Sequence, residues 1–196
     1  MKLKDKVILT DCDGVLLDWV YSFDNYMKEH GYTKKVDGVY DLAITYDIPK
    51  ADMKAFVRQF NESSNIGSLT PFRDAIKYVR KLHEEHGFVF HCITSLSTNE
   101  YAGKLRRKNL NSIFGANIFE KVICLDCGAD KDQALLPYRD TDCFWIEDKP
   151  ENAVCGNDLG LWAVLIEHDY NKDFVHPDIP VVKGWKEIYE MITFFQ

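Results

Sequence analysis

The chain has 196 residues, 46% hydrophobic, 28% charged and 13% aromatic, a size and make-up that suit one folded domain burying roughly 70% of its unfolded surface without disulfide or metal staples. Its 24 basic and 31 acidic residues leave a net charge of −7, which argues against tight binding to long nucleic acid, since a phosphate backbone is held by concentrated positive charge. No apolar run approaches the ~20 residues that span a bilayer, and the opening MKLKDKVILTDCDG lacks the pattern of a signal peptide, so no membrane partner and a cytoplasmic location are expected.

Lys6 to Thr10 (KVILT) reads as a short buried strand ended by acids and Gly14. From Asp18 the pattern turns helical, with Trp19, Val20, Phe23, Tyr26 and Met27 on one face and Gly31 closing it. Residues 32–48 carry no assignable period. A second helix begins near Pro49 and buries Met53, Phe56, Val57 and Phe60, after which NESSNIGS (61–68) reads as a linker and a plausible hinge.

Beyond it the rhythm becomes regular. Pro71 opens a helix with Phe72, Ala75, Ile76, Val79 and Leu82 inward, and Phe88–Ile93 follows as a strand. Ser97 and Glu100 have capping-box spacing and start a helix through Leu105. Strands are predicted at 121–125, 143–146 and 161–166, and helices at 132–138, 150–158 and 185–195. Apolar strands alternating with helices predict an α/β fold: a doubly wound, Rossmann-like parallel sheet of about five strands. Residues 1–17 and 69–196 are expected to form this core, with 18–68 a small helical cap inserted after the first strand.

Six cysteines, at 12, 92, 124, 127, 143 and 155, include one C-x-x-C with no second pair. They read as reduced thiols, several of them small buried hydrophobes. The basic run Lys104, Arg106, Arg107 and Lys108 reads as a solvated helix face, and His83, His86 and His91 as surface or core residues. His168 and His176 follow the fifth strand, toward the edge of any site there.

In open parallel sheets, ligands bind beyond the carboxyl ends of the strands. There the sequence places Asp11 and Asp13 (DCDG), Thr94 and Ser95, Glu147 and Asp148, with Lys131 at the start of a short helix. Clustered carboxylates repel one another unless a cation intervenes, and an oxygen-only donor set points to Mg²⁺ rather than zinc. With a hydroxyl and an ammonium to hold an anion, the set suits phosphoryl transfer.

These four pieces, DCDGVLLD after a buried strand, then Thr94, Lys131 and IED in order, resemble the four motifs of the haloacid dehalogenase superfamily. The resemblance implies Asp11 as a nucleophile forming an aspartyl-phosphate and Asp13 as the general acid and base. It implies Asp11, the Asp13 carbonyl and Asp148 as ligands of Mg²⁺, and Thr94, Ser95 and Lys131 as the phosphate-binding group, with Lys121 and Lys149 as alternatives to Lys131. The second aspartate is typical of the superfamily's phosphatases. The last motif departs from many relatives in carrying Asn152 where they have an acid.

An insert after the first motif usually selects the leaving group, and the short helical cap and DCDGVLLD-Trp opening resemble the 5′(3′)-deoxyribonucleotidases. That resemblance implies a small phosphorylated metabolite, a nucleoside monophosphate, as substrate, with Trp19 and Phe23 binding it; Tyr40 and Tyr46 are further cap candidates. The expected activity is therefore a Mg²⁺-dependent phosphomonoesterase. The alternatives are a phosphatase of another metabolite such as a sugar phosphate, a polynucleotide 3′-phosphatase, and a catalytically silent binding protein on the same fold.

Overall fold

The structure, a computed structural model, describes residues 6–194. Residues 1–5, expected in the core domain, and Phe195, expected to end the last helix, lie outside the described residues.

β1 (Val7–Thr10) is the hub of a six-stranded, wholly parallel sheet. It pairs on one side with β2 (Val89–Ser95) and on the other with β4 (Phe144–Glu147), so that Thr10 lies opposite both Cys92 and Ile146. Beyond β2 lies β3 (Phe119–Leu125), and beyond β4 come β5 (Trp162–Ile166) and β6 (Val181–Val182), giving the order β3-β2-β1-β4-β5-β6. The sixth strand goes beyond the sequence reading, because two residues are too few to show a period.

Strand side chains alternate between faces, and this divides the core into two clusters. Ile8, Phe90, Phe144, Ile146 and Val164 pack with α4 (Ala75–Glu84), α5 (Glu100–Phe114) and α8 (Trp185–Phe194). Leu9, Ile93, Trp145, Ala163 and Leu165 pack with α6 (Asp132–Leu135) and α7 (Pro150–Asp158). Each large side chain taken wholly out of water here contributes about 1.5–3 kcal/mol. The six cysteines are free thiols.

Residues 18–68 hold α1 (Trp19–Glu29), α2 (Leu42–Tyr46), α3 (Lys50–Asn61) and a 3₁₀ turn at Ser64–Ser68. Asp18 caps α1 by accepting from the Tyr21 amide, and Trp19, Phe23, Tyr26 and Met27 form its buried stripe, while Val20 stays partly exposed. Chain entry and exit run side by side: Asp18 N donates to Thr70 O and Phe72 N to Leu16 O, both at 2.9 Å. This pairing holds 70–72 extended, so α4 starts at Ala75 rather than Pro71. The Asp74 carboxylate meanwhile accepts from the Trp185 and Lys186 amides that begin α8.

The 61–68 segment is no open linker. Ile66 is fully buried and Gly67 lies against Leu105 of α5. The Ser97–Glu100 capping box does not form either: Asn99 accepts from the Tyr101 and Ala102 amides, while Ser97 donates to Glu62. With a full cap, α5 runs on to Phe114, past the expected end at Leu105.

Candidate active site

Asp11 is the first residue past β1, its amide tied to Ile146 O at 2.9 Å. The turn that follows is closed by the Leu16 and Leu17 amides on Cys12 O. Gly14 has φ +75°, and a Cβ there would stand 2.7 Å from Asp148 Oδ2, so a side chain would both strain the backbone and strike the site.

Lys131, at the start of α6, is fully buried with its Nζ 2.8 Å from Asp11 Oδ1 and 2.5 Å from Glu147 Oε1. Burial works against its charge, but Asp11 and Glu147 outweigh it and hold the ammonium protonated. Of the three candidate lysines it is the one on the Asp11 carboxylate; Lys121 is exposed on β3, and Lys149 lines the cavity wall. Glu147 is saturated. Its Oε1 also accepts from Asn152 Nδ2, and its Oε2 from the Asp148 and Lys149 amides, all at 2.7 Å.

Asp148 accepts a short hydrogen bond from the Tyr170 hydroxyl, and its backbone carbonyl accepts from Asn171 Nδ2 at 2.7 Å. His168 is stacked between Phe72 and Tyr170, with its Nε2 2.9 Å from Gly14 O. Burial, together with repulsion from Glu147 and Asp13, pushes Asp11 up to about 7 despite Lys131. Burial, Glu147 and Asp11 raise Asp148 well above its ordinary value.

Carboxylate oxygens of Asp11, Glu147 and Asp148 lie within 4.8 Å of one another. A hard divalent cation fits this set, because the donors are all oxygen and two carboxylates carry a charge that their neighbours oppose. The saturation of Glu147 leaves Asp11 and Asp148 as the side chains able to hold the ion, with Glu147 orienting them from behind.

Thr94, at the end of β2, is buried with no partner for its hydroxyl. Ser95 donates its one hydroxyl proton to Ala129 O at 2.7 Å. Its side chain thereby ties down the loop leading to Lys131 while Ser95 itself still lines the cavity. Asp13 faces Arg106 of α5, whose Nη2 donates to Oδ2 at 2.9 Å while Nη1 lies 2.7 Å from Oδ1. Burial raises the Asp13 carboxyl above its ordinary value, with Arg106 opposing. Arg106 is wholly buried, and the solvated-face reading of 104–108 fails there: Ala102, Arg106, Asn109 and Leu110 share the inward face of α5.

A cavity of about 720 Å³ opens above these groups, lined by Asp11, Asp13, Thr94, Lys131 and Asp148 below and by Trp19, Val20, Tyr40 and Val57 of residues 18–68 above, within the size range of small-molecule sites. Trp19 is mostly buried at its edge, stacked 4.5 Å from Phe23, its Nε1 donating to Asn61 Oδ1 at 2.9 Å. Phe23 is fully buried behind it and does not reach the cavity, because α1 turns that position into the helix stripe; this corrects its expectation as a substrate contact. Tyr40 stands over Tyr170 at the mouth, whereas Tyr46 is buried and donates to Asp24. The sequence reading missed Arg106 and Tyr170, and Asn171 with them. It set His168 and His176 together toward the site edge; His168 lines the cavity and His176 does not.

No family model matches the chain. It is 25% identical over 134 residues, 60% of its length, to an uncharacterized 32.4 kDa protein of the Gp30-rIII intergenic region of Enterobacteria phage T4, and that match spans 44% of the curated relative's length. Among solved structures, a haloacid dehalogenase-like hydrolase from Streptococcus pneumoniae superposes with a TM-score of 0.65 at 15% identity over 98% of this chain and 99% of that one. A predicted phosphoglycolate phosphatase from Haemophilus somnus 129pt gives 0.66 at 15% identity with the same coverage. CbbY from Rhodobacter sphaeroides, in complex with phosphate, gives 0.61 at 16% identity over 94% and 96%. The chain therefore has the haloacid dehalogenase-like fold. Among the described residues no helix is long and apolar enough to cross a membrane.

Proposed function

We propose that this protein is a Mg²⁺-dependent phosphomonoesterase acting in the cytoplasm on a small phosphorylated metabolite, with residues 18–68 as the cap that faces the leaving group. One observation carries the reading: a buried lysine 2.8 Å from Asp11, beside Asp13, Asp148 and the unpartnered Thr94 hydroxyl, at the floor of one cavity. Two structures of like fold support it, that of a predicted phosphoglycolate phosphatase and that of CbbY in complex with phosphate.

In this reading Asp11 attacks phosphorus as the bond to the leaving oxygen breaks, and Asp13 gives that oxygen its proton. Water then attacks the phosphoryl group on Asp11, losing a proton to Asp13, and phosphate leaves with Asp11 restored. Lys131 fixes the Asp11 carboxylate and offsets charge on the transferring group, and the Thr94 hydroxyl donates to a phosphoryl oxygen. Asp11, Asp148 and the Asp13 carbonyl would hold Mg²⁺, which when bound neutralises charge on the phosphoryl oxygens. Trp19 at the cavity edge suits a flat leaving group, and a nucleoside monophosphate is the preferred substrate class.

The test is phosphate release from nucleoside and sugar monophosphates, each with Mg²⁺ and with EDTA, by wild type and Asp11→Asn. Mg²⁺-dependent release lost in the variant is expected, fastest on nucleotides. Release fastest on sugar phosphates would discard the nucleotide assignment alone, and no release from any substrate would sink the enzyme reading.

A further inference from the structure

We propose that Arg106 is the positioning residue that aims Asp13 at the leaving oxygen; this rests on the phosphatase reading above. The guanidinium is fully buried and does not line the cavity, whereas the Asp13 side chain is 23% exposed and does. Arg106 thus stands behind the carboxylate and touches reactants only through it. Two nitrogens of one rigid fork meet the two oxygens of one carboxylate, at 2.7 and 2.9 Å, and Nη1 also donates to Cys12 Sγ at 3.2 Å.

Core packing does not account for an arginine here. Its neighbours on the inward face of α5 include Ala102, Leu110 and Phe114, and burying a guanidinium carries a desolvation cost that an apolar side chain of similar volume would not incur. What the fork supplies is a fixed carboxylate plane. The terminal torsion of an aspartate is soft, and a guanidinium that donates to one oxygen and stands at ion-pair distance from the other restricts that freedom. Each oxygen keeps a second lone pair, so Asp13 can still carry a proton toward the cavity while held from behind. The fork is itself held, since Leu105 packs on Gly67 and Asn109 Nδ2 donates to Leu69 O at 3.1 Å, anchoring α5 one residue before and three after Arg106. The charges divide accordingly: Lys131 answers Asp11 and Glu147, and Arg106 answers Asp13.

The step it serves is proton transfer from the Asp13 carboxyl to the leaving oxygen as the phosphorus–oxygen bond breaks and the bond to Asp11 forms. Alkyl leaving groups need that proton and p-nitrophenolate hardly does. The experiment measures kcat/KM, which reports this first chemical step, for n-propyl phosphate and p-nitrophenyl phosphate in wild type, Arg106→Lys and Arg106→Met. The alkyl-to-aryl ratio is expected to fall about tenfold in Arg106→Lys and on the order of 10²-fold in Arg106→Met, with no further fall when Arg106→Met is added to Asp13→Asn. Each ratio is read within one sample and is independent of the folded fraction, and Arg106→Lys retains the buried charge if the methionine variant does not fold. Equal losses on both substrates, or no loss, would overturn the positioning role while leaving the phosphatase reading intact. A wild type that releases phosphate from neither, nor from the wider panel, would overturn that reading and this proposal together.

Discussion

Glu147 Oε1 accepts a 2.5 Å hydrogen bond from Lys131 Nζ, so the ammonium that touches Asp11 is anchored by a carboxylate that itself has no room for another partner. Breaking a buried pair leaves an uncompensated charge, which costs about 3–5 kcal/mol. Glu147→Ala is expected to lose that much stability in urea unfolding, and more than Glu147→Gln, which keeps the acceptor for Lys131. A loss under about 1 kcal/mol for Glu147→Ala would show that Asp11 holds Lys131 unaided.

Asp11, raised from 3.8 to about 7 in the folded chain, gives the metal-free protein a pH signature. Across that window the folded state keeps a proton that the unfolded state releases, so stability is present at low pH and lost as pH rises toward 7. In EDTA, wild type is expected to lose stability relative to Asp11→Asn between about pH 4 and about pH 7. Saturating Mg²⁺ should remove the difference. Parallel stability curves in EDTA would place the Asp11 carboxyl in its ordinary range.

Tyr170 reaches Asp148 from the loop after β5. Partners of this kind behind a metal-holding carboxylate contribute roughly 10–100-fold in affinity. Titration calorimetry with Mg²⁺ should therefore show Tyr170→Phe binding about tenfold more weakly, with Asp148→Ala weaker still. Unchanged affinity in both variants would move the cation site away from Asp148.

Trp19 lines the cavity and is stacked on Phe23. If a base stacks there, Trp19→Ala raises KM for a nucleoside monophosphate by about fivefold or more, an effect sized by the ~1–3 kcal/mol of a base–aromatic stack. KM for p-nitrophenyl phosphate should rise less. Equal changes would assign Trp19 to packing and to its hydrogen bond with Asn61.

Gly156, inside α7, lies under Trp145: an added Cβ would meet the indole Cδ1 at 2.3 Å. Alanine gains about 1 kcal/mol of helix propensity over glycine, yet forcing this fully buried ring from its place costs about 1–3 kcal/mol and strains its hydrogen bond to Asn152 O. Gly156→Ala should lower stability with a change in tryptophan fluorescence. A stabilised variant would show that the ring gives way freely.

Much of the sheet was legible because β1, β2, β4 and β5 are short apolar runs that need no partner to be recognised, and a motif at a strand end is positioned by its strand. What escaped depended on pairing at a distance. Arg106 sits in a KLRRK run that reads as a wet surface, although the spacing Ala102, Arg106, Asn109, Leu110 was a helical stripe in plain view. Tyr170 and Asn171 lie in a loop with no period, and their roles exist only once Asp148 lies beside them. Pro71 carried a helix-start signal, but the pairing of 70–72 with 16–18 overrode it.

The central place of β1 has a last consequence. Its hydrogen-bonded neighbours come from residues 89–95 and 144–147, and Tyr170 arrives later still. Loop closure must be completed across well over a hundred residues before Asp11, Lys131 and Asp148 meet, an arrangement that folds slowly. While the chain is being made, Asp11 therefore waits for partners that lie more than a hundred residues later. Until residue 171 has been made these groups cannot be brought together, and a nick anywhere between 11 and 171 that lets the two pieces drift apart would separate them again.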